Sequence, residues 1–259
     1  FLNFKKQTKG KILAKIKSGE INLVIGTHAL ISEKVAFKNL ALAIIDEQHR
    51  FGVNQRRLLR EKAGSGNLVP HLLSMTATPI PRTLSLVFYG DLDISIIRQL
   101  PKGRKKIITT VIQPSARAET YKFIKAQISQ GRQAFVICPL IDPSDKLGVK
   151  SVKEEFKRLV SDVFPHLKID CLHGRLKAQE REKIMSDFLA NKINILVATS
   201  VVEVGIDVPN ATVMMVEDAE RFGLAQLHQF RGRVGRSSYQ SYCFLFTGTE
   251  GEVSILRLQ

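Results

Sequence analysis

The chain has 259 residues, 44% hydrophobic and 24% charged, a balance that excludes a disordered chain, a collagen-like fibre and a disulfide-stapled miniprotein. Lysine and arginine exceed aspartate and glutamate by 39 − 24 = 15, which points to a polyanionic partner, either nucleic acid or an anionic membrane surface. No apolar run reaches the roughly 18 residues of a membrane-spanning helix, so nucleic acid is the favoured partner.

The chain opens on Phe1-Leu2-Asn3-Phe4, with no initiator Met, signal peptide or transit segment, and reads as a piece of a longer polypeptide. Six lysines and no acid fall in the first seventeen residues, a pattern expected of an exposed helix face. Short apolar runs then predict strands at 21–25, 42–45, 72–75, 107–112, 134–138, 169–172, 193–198, 212–216 and 242–246. Runs that are apolar at successive positions suggest strands buried on both faces, as in a parallel sheet. Helical spacing links Tyr121, Ile124 and Ile128. A second face joins Phe156, Leu159, Val160 and Val163, and a third joins Ile184, Met185, Phe188 and Leu189. Ser151 stands at capping-box spacing from Glu154. The alternation predicts an α/β fold with helices on both faces of the sheet. Pro101-Lys102-Gly103-Arg104-Lys105-Lys106 reads as a solvated linker, giving units at 1–100 and 107–259 joined by 101–106. Cys138, Cys171 and Cys243 show no metal spacing and are expected to be packing residues.

Four segments carry chemistry. Ala43-Ile44-Ile45 runs into Asp46-Glu47-Gln48-His49, placing two acids at a strand's carboxyl end, where open α/β sheets put ligands. Such an Asp can hold Mg²⁺ on a nucleoside triphosphate and the following Glu can orient water; two solvated acids are the alternative. Thr76-Ala77-Thr78-Pro79-Ile80-Pro81-Arg82 ends a strand in hydroxyls, either a hydrogen-bond relay from the acids or an ordinary strand cap. Thr199 to Asp207 leads from a buried strand into hydroxyls and Gly205-Ile206-Asp207. Hydroxyls and backbone N–H groups after a strand can grip phosphate. Gly26-Thr27-His28 and His173-Gly174-Arg175 follow the same logic more weakly, with a surface histidine as the alternative. Gln229 to Arg236 packs arginines and glycines together, and guanidinium forks fit phosphate bidentately; a solvated basic turn is the alternative.

In this order and spacing the set resembles the superfamily 2 helicases. Asp46-Glu47-Gln48-His49 resembles their Walker-B box, Thr76-Ala77-Thr78 their motif III, Thr199 to Asp207 their motif V, and Gln229 to Arg236 their QxxGRxGR motif VI. Asp46 to Val53, Thr76 to Arg82, Val136 to Ile141 and Gln226 to Gln229 are most similar to the bacterial branch-migration helicases. Transcription-repair coupling translocases share Thr76 to Arg82 and the Arg233/Arg236 box, but would normally carry Glu at Gln48 and lack the Cys138-Pro139-Leu140-Ile141 wording.

The resemblance implies two RecA-like lobes of the P-loop NTPase type with mainly parallel sheets. The first is expected to be truncated at its N-terminus, because no Gly-x-x-x-x-Gly-Lys-Ser/Thr occurs. It implies ATP and Mg²⁺ as cofactors, with Asp46 on the metal, Glu47 positioning water, and Arg233, Arg236 and Gln229 completing the catalytic set. His49, Gly205 and Asp207 are expected to line the nucleotide site. Thr27, His28, Thr76, Thr78, His173, Gly174 and Thr199 are expected to contact nucleic acid or couple it to ATP. The implied function is ATP-driven remodelling of stalled forks and Holliday junctions in recombination and repair. The expected partner is branched or forked DNA, with no membrane, for a monomer in the bacterial cytoplasm at the nucleoid. These 259 residues alone are expected to be inactive. A nucleic-acid-binding module without a motor and a coupling-translocase fragment are the alternatives.

Overall fold

The computed structural model describes residues 6–32, 34–46, 70–76, 93–97, 99, 101, 103–139, 152–173, 175–199 and 207–248. The chain divides into two compact units, Phe1–Ile80 and Pro81–Gln259.

In the first unit, α1 (Lys6–Ser18) precedes a short 3₁₀ turn, His28–Ile31. Two parallel strands follow, β1 (Leu42–Asp46) and β2 (His71–Met75), paired so that Asp46 stands opposite Met75. Ile31 and Ile45 are buried, with Leu40, Ala43 and Leu72 packed around them. The strand expected at 21–25 does not form: this stretch has no regular structure and pairs with no strand among the described residues, with Ile25 89% exposed. Apolar composition supplies a face to bury, but a strand also requires a neighbour for its N–H and C=O groups.

The second unit contains a six-stranded parallel sheet. Its strands are β3 (Ile108–Ile112), β4 (Gln133–Ile137), β5 (Ile169–Leu172), β6 (Ile195–Ala198), β7 (Ala211–Val216) and β8 (Tyr242–Phe246), in the spatial order β3-β8-β7-β4-β6-β5. The helices are α2 (Arg117–Ser129), α3 (Val152–Arg158), α4 (Ala178–Leu189) and α5 (Leu224–Arg231). Because side chains alternate along a strand, each central strand feeds two cores. Ala134, Val136, Ile195, Val197, Val213 and Met215 meet Ile124 and Ile128 of α2 and Val152 of α3 on one face. Phe135, Ile137, Leu196, Met214 and Val216 meet Phe188 of α4 and Leu227 and Phe230 of α5 on the other. The sheet is therefore covered on both faces, as the double-sided apolar runs predict.

Two expected helix faces are only partly correct. After α3 the helix continues as a π-helical turn, Leu159–Val163. Its wider turn rotates Val160 out to 38% exposure while Leu159 stays buried. Leu189 is the last residue of α4 and is exposed, while Phe188 carries the contact, stacked at a tilt on Phe135 with ring centroids 5.0 Å apart. Ser151, the expected cap of α3, lies outside the described residues.

Where β7 ends, a charged cluster is sealed into the unit. Glu217 is completely buried and accepts two hydrogen bonds from Arg117 of α2, at 2.9 and 2.7 Å. Arg158 lies 3.8 Å from Glu217 and donates through Nε to the buried Glu155 at 2.9 Å. Both guanidiniums donate to the Tyr121 hydroxyl, at 2.7 and 2.6 Å. Burial alone would lower the Arg117 and Arg158 pKa values, but the carboxylates outweigh it and hold both above the ordinary arginine value. Burial raises the Tyr121 phenol. The cluster ties α2, α3 and the end of β7 together.

Candidate nucleotide and nucleic-acid sites

In the first unit, β1 ends on Asp46, and β2 runs into Thr76. Parallel pairing therefore puts Asp46 and Thr76 at the same carboxyl edge, both exposed. Thr27 caps the His28–Ile31 turn, its hydroxyl accepting from the Ala29 amide at 3.5 Å. The backbone of His28 begins that turn. Glu47, His49 and Thr78 lie outside the described residues.

The second unit separates its candidate residues between the two edges of one sheet. His173 follows β5 and Thr199 follows β6. These strands pair with Leu172 opposite Ala198, so the two residues are neighbours at the carboxyl edge. The Thr199 amide donates to the Leu172 carbonyl at 3.3 Å, and both polar side chains are buried. Among the described residues His173 Nδ1 meets no hydrogen-bond partner. Burial lowers its pKa, and the charges of Lys153 and Arg175 lower it further, which keeps the ring neutral at pH 7. Gly174 lies outside the described residues.

Asp207 and Arg236 meet at the opposite, amino edge. Asp207 stands in the lead-in to β7 and Arg236 in the lead-in to β8, and β7 and β8 are paired. Their charged groups are 3.6 Å apart, and Arg236 Nε also donates to the Gly232 carbonyl at 3.2 Å. Helix α5 delivers this cluster: Gln229 is half-buried on it, and Arg233 follows in the turn, its amide donating to the Phe230 carbonyl at 2.9 Å. Gly235 is required here. Its φ is +75°, and a Cβ would fall 2.8 Å from Ile107 Cγ1. Its amide donates to the Ser241 hydroxyl at 3.1 Å, fixing the turn that presents Arg236. Gly205 lies outside the described residues. Arg233, Gln229, Asp207 and Arg236 thus fall around one edge, and Thr199, from the same motif as Asp207, does not. A polar network just behind them, Arg132, Asn210 and Tyr239, carries no local sequence signal and was not among the expected residues.

Asp46, a single hard oxygen ligand at a strand end, suits Mg²⁺, which keeps several waters and takes one or two carboxylates. Among the described residues no group of three or more His, Cys, Asp or Glu could hold a metal ion. Also among them, no helix is long and apolar enough to cross a membrane.

The DEAD/DEAH box helicase family model matches residues 2–87, and the helicase conserved C-terminal domain model matches residues 116–238. The chain belongs to the superfamily 2 helicases. The ATP-dependent DNA helicase RecG of Thermotoga maritima is 51% identical over 251 residues, covering 97% of this chain and 32% of that protein. RecG of Bacillus subtilis is 46% identical over 256 residues, covering 98% of this chain and 37% of that protein. The chain therefore spans about a third of the length of the curated relatives it matches. Among solved structures, RecG bound to a three-way DNA junction matches with a TM-score of 0.70 and 45% identity, covering 98% of this chain and 32% of that one. The Mycobacterium smegmatis helicase Lhr shares the fold, with a TM-score of 0.60 at 16% identity over 99% of this chain and 35% of that one. The α/β fold with mainly parallel sheets is that of RecA-like helicase lobes, as expected from the motifs.

Proposed function

We propose that this chain is the motor portion of an ATP-dependent DNA helicase that remodels branched DNA, forks and Holliday junctions, in recombination and repair. The observation that carries this reading is the similarity to RecG at about half identity over nearly the whole chain. Residues 1–100 supply part of the first RecA-like lobe, 101–106 the connection and 107–259 the second lobe. ATP with Mg²⁺ supplies the transferable phosphoryl group and the charge that holds it. Asp46 contributes a metal ligand, and Glu47 orients water, with His49 beside them. Arg233 and Arg236 present guanidinium donors to phosphate oxygens, supported by Gln229, Gly205 and Asp207. The Asp207 contact supports this role for Arg236, because it aims the guanidinium before any phosphate arrives. Thr27, His28, His173, Gly174 and Thr199 contact the DNA backbone, and Thr76 and Thr78 couple it to hydrolysis. The protein acts as a monomer in the bacterial cytoplasm, at the nucleoid.

The test is steady-state ATP hydrolysis by the full-length protein with forked DNA, linear duplex or no DNA. Turnover should rise with DNA and rise most with the fork. Turnover that ignores DNA would overturn the motor assignment, and equal stimulation by linear duplex would overturn the junction preference.

A further inference from the structure

Arg132 occupies the turn between α2 and β4, remote in sequence from the segments that carry Asp207 and Arg236, yet it reaches both loops that carry the Asp207–Arg236 contact. The sheet order explains this. Strands β8, β7 and β4 are consecutive neighbours, so their lead-ins lie side by side at the amino edge. The Arg132 guanidinium lies over the Tyr239 ring, 3.2 Å from its centroid, and Tyr239 follows Arg236 in the lead-in to β8. The same guanidinium donates to Asn210 Oδ1 at 3.3 Å, and Asn210 follows Asp207 in the lead-in to β7.

The bracket is anchored in the core. The Asn210 amide nitrogen donates to the Gly131 carbonyl at 2.7 Å, to Gln133 Oε1 at 3.4 Å and to Asn191 Oδ1 at 3.3 Å. Gln133 is fully buried and donates to the Phe188 and Ile193 carbonyls, both at 2.7 Å. Tyr239, by contrast, is 47% exposed, so its ring contributes little to the core. Its value lies in offering a π face to the cation, and a planar guanidinium can stack on that face while still donating sideways.

We propose that Arg132 is a positioning residue for nucleotide hydrolysis. It clamps the lead-ins of β7 and β8 against β4 and so holds Arg236 at its distance from Asp207. The proposal rests on the assignment of Arg236 and Asp207 to the nucleotide site. Arg132 itself touches neither.

The test uses the full-length protein and two independent readouts. The first is DNA-stimulated ATP hydrolysis. Arg132→Ala and Tyr239→Ala should each lower kcat at least about tenfold, within the roughly 100-fold that a misplacement of about 1 Å can cost. KM for ATP and the affinity for forked DNA should change less than about twofold. Tyr239→Phe keeps the π face and should retain wild-type turnover. The second readout is hydrogen exchange of the peptides spanning 207–211 and 233–241, which should quicken together, about tenfold, in Arg132→Ala but not in Tyr239→Phe. Unchanged exchange in both peptides overturns the clamp whatever the enzyme does. Arg132→Ala turnover within twofold of wild type, or Tyr239→Phe falling as far as Tyr239→Ala, overturns the positioning role. A wild-type protein that hydrolyses no ATP, with exchange responding as stated, overturns the helicase reading and leaves the clamp standing.

Discussion

Arg117→Ala should loosen the second unit far more than a half-buried surface arginine ordinarily would. The reason is what the substitution leaves behind. Glu217 has no solvent exposure, and Arg117 supplies two hydrogen bonds to it, at 2.9 and 2.7 Å. Without Arg117, Glu217 still has Arg158 at 3.8 Å, but Arg158 is already engaged with Glu155. Removing one partner of a buried ion pair costs about 3–5 kcal/mol, and the attraction that Glu217 keeps, that of Arg158 included, argues for the lower half of that range. The Tyr121 hydroxyl also loses a donor, and the Phe246 ring loses a cation 4.5 Å from its centroid. At about 1.4 kcal/mol per tenfold, the amides of β7 should exchange roughly 100-fold to 700-fold faster in the variant. Native-state hydrogen exchange of the 211–217 peptide reads this directly. The double variant Arg117→Met with Glu217→Leu removes the charge together with its partner and should recover to within about 1 kcal/mol of wild type. Exchange within threefold of wild type for Arg117→Ala would refute the reasoning. So would a double variant as labile as the single one, which would locate the cost in lost packing.

Three further outcomes are expected. Arg236→Ala in the full-length protein should cut ATP turnover by about 10³ to 10⁵ while sparing DNA affinity, as measured by steady-state hydrolysis and fluorescence anisotropy. Gly235→Ala should cost about 1–3 kcal/mol, seen as faster exchange of the β8 peptide, because φ is +75° and the new Cβ would press on Ile107. Burial raises the Cys171 thiol to about 11 and the Cys243 thiol to about 12. Alkylation of Cys171 should therefore be slow at pH 8 and about 100-fold faster at pH 10, with Cys243 silent until unfolding; Cys171 labelling at pH 8 at the rate of an ordinary thiol would contradict this. Raised thiol values favour the folded state below the unfolded thiol pKa of about 8.5, and this contribution fades as pH rises toward 11 and 12.

The sheet of the second unit was legible because its strands are buried twice over. Ala134 to Cys138 and Val213 to Val216 are apolar at successive positions, and a strand between two helix layers requires that. The run at 21–25 looks the same in sequence and forms no strand, because composition reports a wish for burial and says nothing of a hydrogen-bonding neighbour. Val160 leaves the face that regular helical spacing predicts because the π-helical turn changes the period there. The Arg117–Glu217 pair was invisible for a different reason: its members stand 100 residues apart, and only the folded order of α2 and β7 makes them partners. Arg236 and Asp207 were legible as members of motifs, yet their contact was not, since it depends on β7 and β8 being adjacent.

That adjacency also explains why a motif is not the same thing as a site. In a parallel sheet every connection carries the chain from the carboxyl edge of one strand to the amino edge of the next. A motif that spans a connection must begin at one edge and end at the other. Thr199 follows β6 at the carboxyl edge, beside His173, while Asp207 precedes β7 at the amino edge, beside Arg236. Residues a few positions apart are thereby assigned to different faces of the unit. Residues from distant loops, such as Arg132, Asn210 and Tyr239, are brought onto one. The order β8-β7-β4 decides which lead-ins can touch, and so which side chains can steady Arg236.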